Sequence, residues 1–150
     1  MVGFHKLIGL ANEIIQAGQL SINAALREKR LSSPEANVLM FLYNNGDGVR
    51  QDDIVSGTEV SKPAISRTVA SLVRKGWVTR LRNPRDKRSY IVNLTDKARR
   101  EQQFIESQFD AIVDAAKQGI SEDKVEEFLA IFAQVAENLR QYRQQRRLNN

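Results

Sequence analysis

At Gly76 the spacing of apolar residues changes from that of a helix to that of a strand, with no linker between the two. On the N-terminal side Ile65, Val69, Leu72 and Val73 recur at i, i+4, i+7 and i+8, a single stripe expected to face a core. On the C-terminal side Trp77, Thr79 and Leu81 alternate with Val78, Arg80 and Arg82. After the polar run 83–88, Tyr90, Val92 and Leu94 alternate with Ile91 and Asn93. A helix therefore feeds directly into a two-stranded hairpin with a long basic tip. Ser61-Lys62-Pro63 starts that helix, serine as the cap and proline in the first turn, where its missing N–H costs nothing. Just before it, a short helix from Gln51 to Ser56 turns Ile54 and Val55 inward and is expected to stop at Gly57. Helix, tight turn, second helix and hairpin follow one another within about forty-five residues.

The flanks read as helices. Residues 3–28 carry Phe4, Leu7, Ile8, Ala11, Ile14 and Ile15 at helical spacing, and a second helix opens at Ser33-Pro34-Glu35, with Ser33 as its cap, and ends at Asn45-Gly46. Thr95-Asp96 opens a long amphipathic helix that runs to Gly119. Ser121 to Leu139 forms the last one, with Phe128, Leu129, Phe132 and Val135 on one stripe, followed by a basic tail from Arg140 to Arg147. These helices hold more apolar surface than one small unit can cover, so a homodimer is expected to bury it.

Charge is sorted along the chain. Residues 1–49 are neutral, residues 50–100 hold thirteen bases against five acids, a net of +8, and residues 101–150 carry a net of −3. A single-sign patch of that size repels itself and is commonly found where a polyanion neutralises it, which makes double-stranded DNA the expected partner. With Ile65, Val69, Leu72 and Val73 inward, the second helix turns Lys62, Pro63, Ser66, Arg67, Ala70 and Arg74 outward, a surface without an acid or a bulky apolar group. Such a face suits the major groove, with Ser66 and Arg67 placed for base edges, and Lys62 and Arg74 for phosphates. The hairpin adds Arg80, Arg82, Arg85, Lys87 and Arg88 against one acid, Asp86, which suits a phosphate backbone or a narrow minor groove.

Other chemistries find little purchase. There is no cysteine and one histidine, so disulfides, thiolate metal sites and thiol redox sensing have no residues to use, and neither a metal nor any other cofactor is expected. No phosphate loop, nucleophile elbow or Ser/His/Asp set occurs, and no catalytic residue is assigned, so the chain does not read as an enzyme. His5 reads as an ordinary helix residue. The adjacent acids Asp52-Asp53, Glu122-Asp123 and Glu126-Glu127 read as solvated surface. No run of 18 apolar residues and no signal peptide is present, which leads to an expectation of a cytoplasmic protein without membrane contact. The rival to DNA binding is a protein-interaction module that reuses the same architecture.

The "SKPAISR" helix start, the "KGW" exit into the hairpin and the "D-x-R-S" tip, at these separations, resemble the MarR family of bacterial winged helix-turn-helix transcription regulators. The resemblance implies a mainly α fold, with a winged helix-turn-helix over residues 33–99 and a helical dimerisation region over 1–32 and 100–150. It further implies a dimeric repressor on a palindromic operator, released by a small organic effector, with the recognition helix beginning at Ser61 in a major groove. Arg88 would reach the DNA at the wing, steadied by Asp86. Tyr43 and Trp77 could line an effector cleft, although an aromatic at such a position more often belongs to the core. Ala98 and Arg99 stand where family members often have glycine, a departure that bears on how the following helix is entered.

Overall fold

The computed structural model describes residues 3–148. It is mainly helical, with a small antiparallel sheet: α1 (Phe4–Ala25), a single 3-10 turn (Arg27–Lys29), α2 (Ser33–Asn45), β1 (Val49–Arg50), α3 (Gln51–Thr58), α4 (Lys62–Arg74), β2 (Val78–Asn83), β3 (Asp86–Leu94), α5 (Asp96–Lys117) and α6 (Glu122–Leu148). Two compact units divide it, one up to Ile112 and one from Val113.

The first unit holds the core, in which Leu39, Leu42, Ile54, Val69, Leu72, Val92 and Ile105 are fully buried and Ile65, Trp77 and Val78 nearly so. The expected stripe of α4 is thus inward at Ile65, Val69 and Leu72. Val73 departs from it and stays 39% exposed, because one step of 100° beyond Leu72 carries it past the edge of the buried arc. The sheet order is β1-β3-β2. Beyond the expected hairpin it includes β1, two residues long and therefore without readable periodicity, which pairs Val49 with Val92 and Arg50 with Ile91. In the hairpin Val78 faces Leu94 and Arg82 faces Tyr90, after which the register jumps to Asn83 opposite Asp86. The basic tip is consequently a two-residue Pro84-Arg85 turn followed by a bulge over 87–89, instead of one open loop.

Three local expectations change. The cap of α2 is Ser32, not Ser33: the Glu35 N–H donates to Ser32 Oγ (3.4 Å) and the Ser32 N–H donates back to Glu35 Oε2 (3.1 Å), a reciprocal capping box. The Ser33 N–H is taken instead by Asn23 Oδ1 of α1, at 2.6 Å. The basic tail beyond Leu139 is helical, since α6 continues to Leu148 with Arg140 paired to Glu137 and Arg146 over the Tyr142 ring. Arginine and glutamine are good helix formers, and cations suit a helix C-terminus.

Gly57 does not end α3. The helix runs on to Thr58 and stops at Glu59, whose φ of 54° is left-handed. Gly57 instead lets α3 cross α2 closely, because a Cβ there would stand 2.1 Å from Phe41 Cε2.

α1 buries no residue, and its Phe4, Ile14, Ile15 and Leu20 are exposed. In the second unit α6 also buries none, and its Phe128 and Phe132 rings stack at 5.2 Å on an exposed apolar face that includes Leu129 and Ile131. Among the described residues no helix is long and apolar enough to cross a membrane.

The packing at Gly57 has a measurable consequence. Alanine gains about 1 kcal/mol of helix propensity over glycine, whereas overpacking of this kind costs about 1–3 kcal/mol. Gly57→Ala is therefore expected to lower the urea midpoint, and Phe41→Leu in the same chain to restore part of the loss. A Gly57→Ala chain as stable as the parent would show that the Phe41 ring yields freely.

Candidate nucleic-acid interface

The N-terminal end of α4 is built by its cap. Ser61 Oγ accepts the Ala64 N–H (3.4 Å), so this hydroxyl serves the helix, while Lys62 and Pro63 occupy the first turn and are exposed. Lys62 Nζ lies 3.3 Å from Asp52 Oδ1 of α3, and Arg50 pairs in two-pronged fashion with Asp53 (2.7 and 3.1 Å). The Asp52-Asp53 pair lies at the surface, as expected, and holds a cation on each side. The Arg50 guanidinium keeps the Asp53 carboxyl below its ordinary value by hydrogen bond and charge.

Along the outward face Ser66 and Ala70 are half-buried, and Arg67 and Arg74 are exposed. Arg80 Nη1 donates to the Ser66 carbonyl at 3.5 Å, and the Arg80 and Arg82 guanidiniums both stack on the Tyr90 ring, 4.8 and 4.7 Å from its centre. Arg82 also donates to the Lys87 carbonyl. These two arginines anchor the hairpin, the second of them clasping its own bulge. At the tip the Arg85 N–H donates to Asn83 Oδ1 and the Arg88 N–H donates to Asp86 Oδ1, both at 3.0 Å. Asp86 therefore orients the backbone of Arg88 and makes no ion pair with its guanidinium. A cleft of about 240 Å³ brings the two parts together, lined by Gln51, Asp52, Lys62, Pro63 and Ser66 on one side and Arg88, Ser89 and Tyr90 on the other. Arg67, Arg74, Arg80, Arg82, Arg85, Lys87 and Arg88 form no ion pair with any described residue.

The C-terminal end of α4 is held quite differently, and nothing in the spacing of the sequence singled it out. Lys75 Nζ lies 3.0 and 2.9 Å from the two Glu35 oxygens and donates to the Arg30 carbonyl at 2.7 Å; Ser71 Oγ donates to Glu35 Oε1 at 2.6 Å. Glu35 is at the same time the capping-box acid of α2. Burial pushes its carboxyl up, but hydrogen bonds from Ser71, Lys75 and the Ser32 N–H, with the Lys75 charge, outweigh that and hold it below 4.5. Beyond Gly76, which has a φ of 79°, the Trp77 N–H donates to the Leu72 carbonyl (2.9 Å). Thr95 Oγ1 donates to the Gly76 carbonyl (2.7 Å), and Lys97 Nζ donates to the Lys75 carbonyl (3.0 Å) from a position 4.5 Å above the Trp77 ring. Trp77 is core. Tyr43 is held by the fold as well, its hydroxyl donating to the carbonyl of the buried Ala98 (2.7 Å), and burial, then Glu106 and Glu101, push its ionisation upward.

Comparison with known proteins agrees with this geometry. A MarR family model matches residues 31–89. Two uncharacterised HTH-type transcriptional regulators of Bacillus subtilis (strain 168) are similar: YdgJ, 33% identical over 69 residues, 46% of this chain and 42% of the relative, and YdcH, 29% identical over 84 residues, 54% and 57%. The chain thus spans about half the length of these relatives. Among solved structures, a MarR transcriptional regulator from Methanosarcina mazei Go1 superposes with a TM-score of 0.79 at 25% identity, over 89% of this chain and 96% of that one. The reduced AbfR protein bound to DNA shares the fold, with a TM-score of 0.76 at 18% identity over 90% and 92%.

The depressed Glu35 carboxyl sets a pH dependence. A group whose pKa is lower folded than unfolded stabilises the fold above its unfolded value and loses that contribution as pH falls through its folded value. Wild type should exceed Glu35→Gln in urea midpoint at pH 7, and the gap should close on acidification below about 4.5. A gap that stayed constant from pH 7 to pH 3 would mean that the Glu35 charge does not support the fold.

Proposed function

We propose, from the premise that residues 31–89 carry the winged helix-turn-helix of the MarR family within a chain that has the MarR fold, that this protein is a sequence-specific DNA-binding transcription regulator. The observation that carries the reading is the sorting of cations. Lys75, Arg50 and Arg99 of the basic segment are matched with Glu35, Asp53 and Asp47. The arginines of the outward face of α4 and of the hairpin tip are left exposed and without an acid. A fold that neutralises part of its positive charge and leaves the arginines of one helix face and one hairpin tip unmatched is suited to an external polyanion.

In this reading α4 enters the major groove by its N-terminal half, where Ser66 and Arg67 meet base edges and Lys62 and Arg74 meet phosphates. Lys62 exchanges Asp52 for the phosphate. The hairpin lies along the flanking minor groove with Arg85, Lys87 and Arg88 toward the backbone, while Arg80 acts chiefly by fixing the hairpin to α4 and Arg82 by holding the hairpin's own bulge. Residues 33–99 serve as the reading unit, and residues 1–32 and 100–150 as the region that pairs two chains on a palindromic operator. The exposed apolar residues of α1 and α6 support that division. Repression, with release by a small organic effector, completes the proposal.

Arg67→Ala should remove about 1–3 kcal/mol of discrimination at particular base pairs and leave binding to random duplex nearly unchanged. Arg85→Ala and Arg88→Ala should instead weaken both, each lowering the slope of log affinity against log salt by about 0.9 for a lost phosphate contact. These are read by fluorescence anisotropy at several salt concentrations. Equal losses by Arg67→Ala on every duplex would contradict its assignment to base edges.

A further inference from the structure

Resting on the DNA-binding reading above, we propose that Lys75 and Glu35 are positioning residues that set the pose of the recognition helix, and that Lys75 does not act as one of the DNA-binding cations of the basic segment. Four elements converge on this point. Lys75 follows the last residue of α4, its ammonium meets both oxygens of the buried Glu35 at the start of α2, and the same ammonium reaches the carbonyl of Arg30, the left-handed residue that closes the turn after α1. The Lys75 carbonyl takes Lys97 from the first turn of α5, and Ser71, one turn earlier on α4, gives its hydroxyl to Glu35.

One end of α4 is thereby tied to α2, to the exit of α1 and to the entry of α5. At the other end Lys62 makes one exposed pair with Asp52, and α4 is held there by the buried Ile65 and by the Arg80 guanidinium at the Ser66 carbonyl. The polar ties to three other elements lie at the C-terminal end, so a change there is expected to alter the angle of the whole helix. The groups that face the Lys75 ammonium are a carboxylate and a carbonyl, so its charge is already matched within the fold and has little left for a phosphate.

The sign of one variant separates the two roles. Glu35→Gln keeps the volume and a residue compatible with the capping box. It leaves one acceptor oxygen where the Ser32 N–H, the Ser71 hydroxyl and Lys75 converge, and sets an amide NH2 against the ammonium. On electrostatics alone, deletion of an acid from a DNA-binding chain tightens binding and frees Lys75. On the positioning account the same change weakens it.

The full-length chain is tested on two fluorescein-labelled duplexes, one recovered by selection from random DNA and one scrambled, at several salt concentrations, with circular dichroism confirming the fold of each variant. Glu35→Gln and Lys75→Met are expected to bind the selected duplex about tenfold more weakly, to bind the scrambled one within about twofold of wild type, and to keep the wild-type salt slope. Lys75→Arg, which can still reach Glu35, should recover most of the loss. Tighter binding by Glu35→Gln, a slope lower by about 0.9 for Lys75→Met on both duplexes, or no change in either variant, overturns the proposal. Wild-type chain that binds neither duplex would instead remove the DNA-binding reading on which it rests, a result visible before any variant is made.

Discussion

One buried carboxylate organises the part of this molecule that matters. Glu35 closes the N-terminus of α2 through the capping box and meets Ser71 and Lys75 at the far end of α4. A lone charge in that position would be expensive, since an ion taken out of water keeps its charge only when paired and hydrogen-bonded. Here a backbone N–H, a hydroxyl and an ammonium converge on two oxygens, and the carboxyl stays ionised below its ordinary value despite burial. Loss of any one partner leaves the buried Glu35 carboxylate short of a donor, so the junction behaves as a unit and sets the angle at which α4 leaves the core.

The same economy applies to the cations. A net of +8 over residues 50–100 would be a liability if it were all unmatched, yet Arg50, Lys75 and Arg99 meet acids. Arg80 and Arg82 are spread over the Tyr90 face. Of the bases left without an acid, Arg67, Arg74, Arg85, Lys87 and Arg88 lie on one helix face and one hairpin tip, whereas Lys97 and Arg100 lie on α5. The side-chain oxygens of Asn83 and Asp86 accept the Arg85 and Arg88 N–H groups and shape that tip without neutralising its guanidiniums, which keeps the arginines fixed at their roots and available at their ends.

Much of this was legible in the sequence where a short-range rule dominates. The Ser61 cap, the buried stripe Ile65, Val69 and Leu72, the helix break at Gly76 and the two-stranded hairpin from Val78 to Leu94 follow from local geometry, although Leu81 in that hairpin stays exposed. What was not legible depends on residues far apart in the chain. Gly57 reads as a stop signal, but its reason is the Phe41 ring sixteen residues away. Ser33 reads as the cap because proline follows it, but the reciprocal bonds of Ser32 and Glu35 put the cap one residue earlier, and Asn23 takes the Ser33 N–H. Lys75 counts as one more base in a basic run until Glu35, forty positions earlier, is seen beside it. In the sequence Asp86 reads as a partner for a guanidinium because charge is what a sequence displays; that its carboxylate serves a backbone N–H belongs to the fold of the bulge.

The helices outside the winged unit keep broad apolar faces on α1 and α6, and a twofold pairing of chains through them would set two copies of α4 on one duplex. That arrangement ties oligomeric state, operator symmetry and base reading to a single observable. Selection of bound sequences from a random duplex library with the full-length chain tests it most directly. The account predicts an inverted repeat whose half-sites lie about one helical turn apart, centre to centre. Recovery of a single unrepeated motif, or of sequences with no common element, would contradict it.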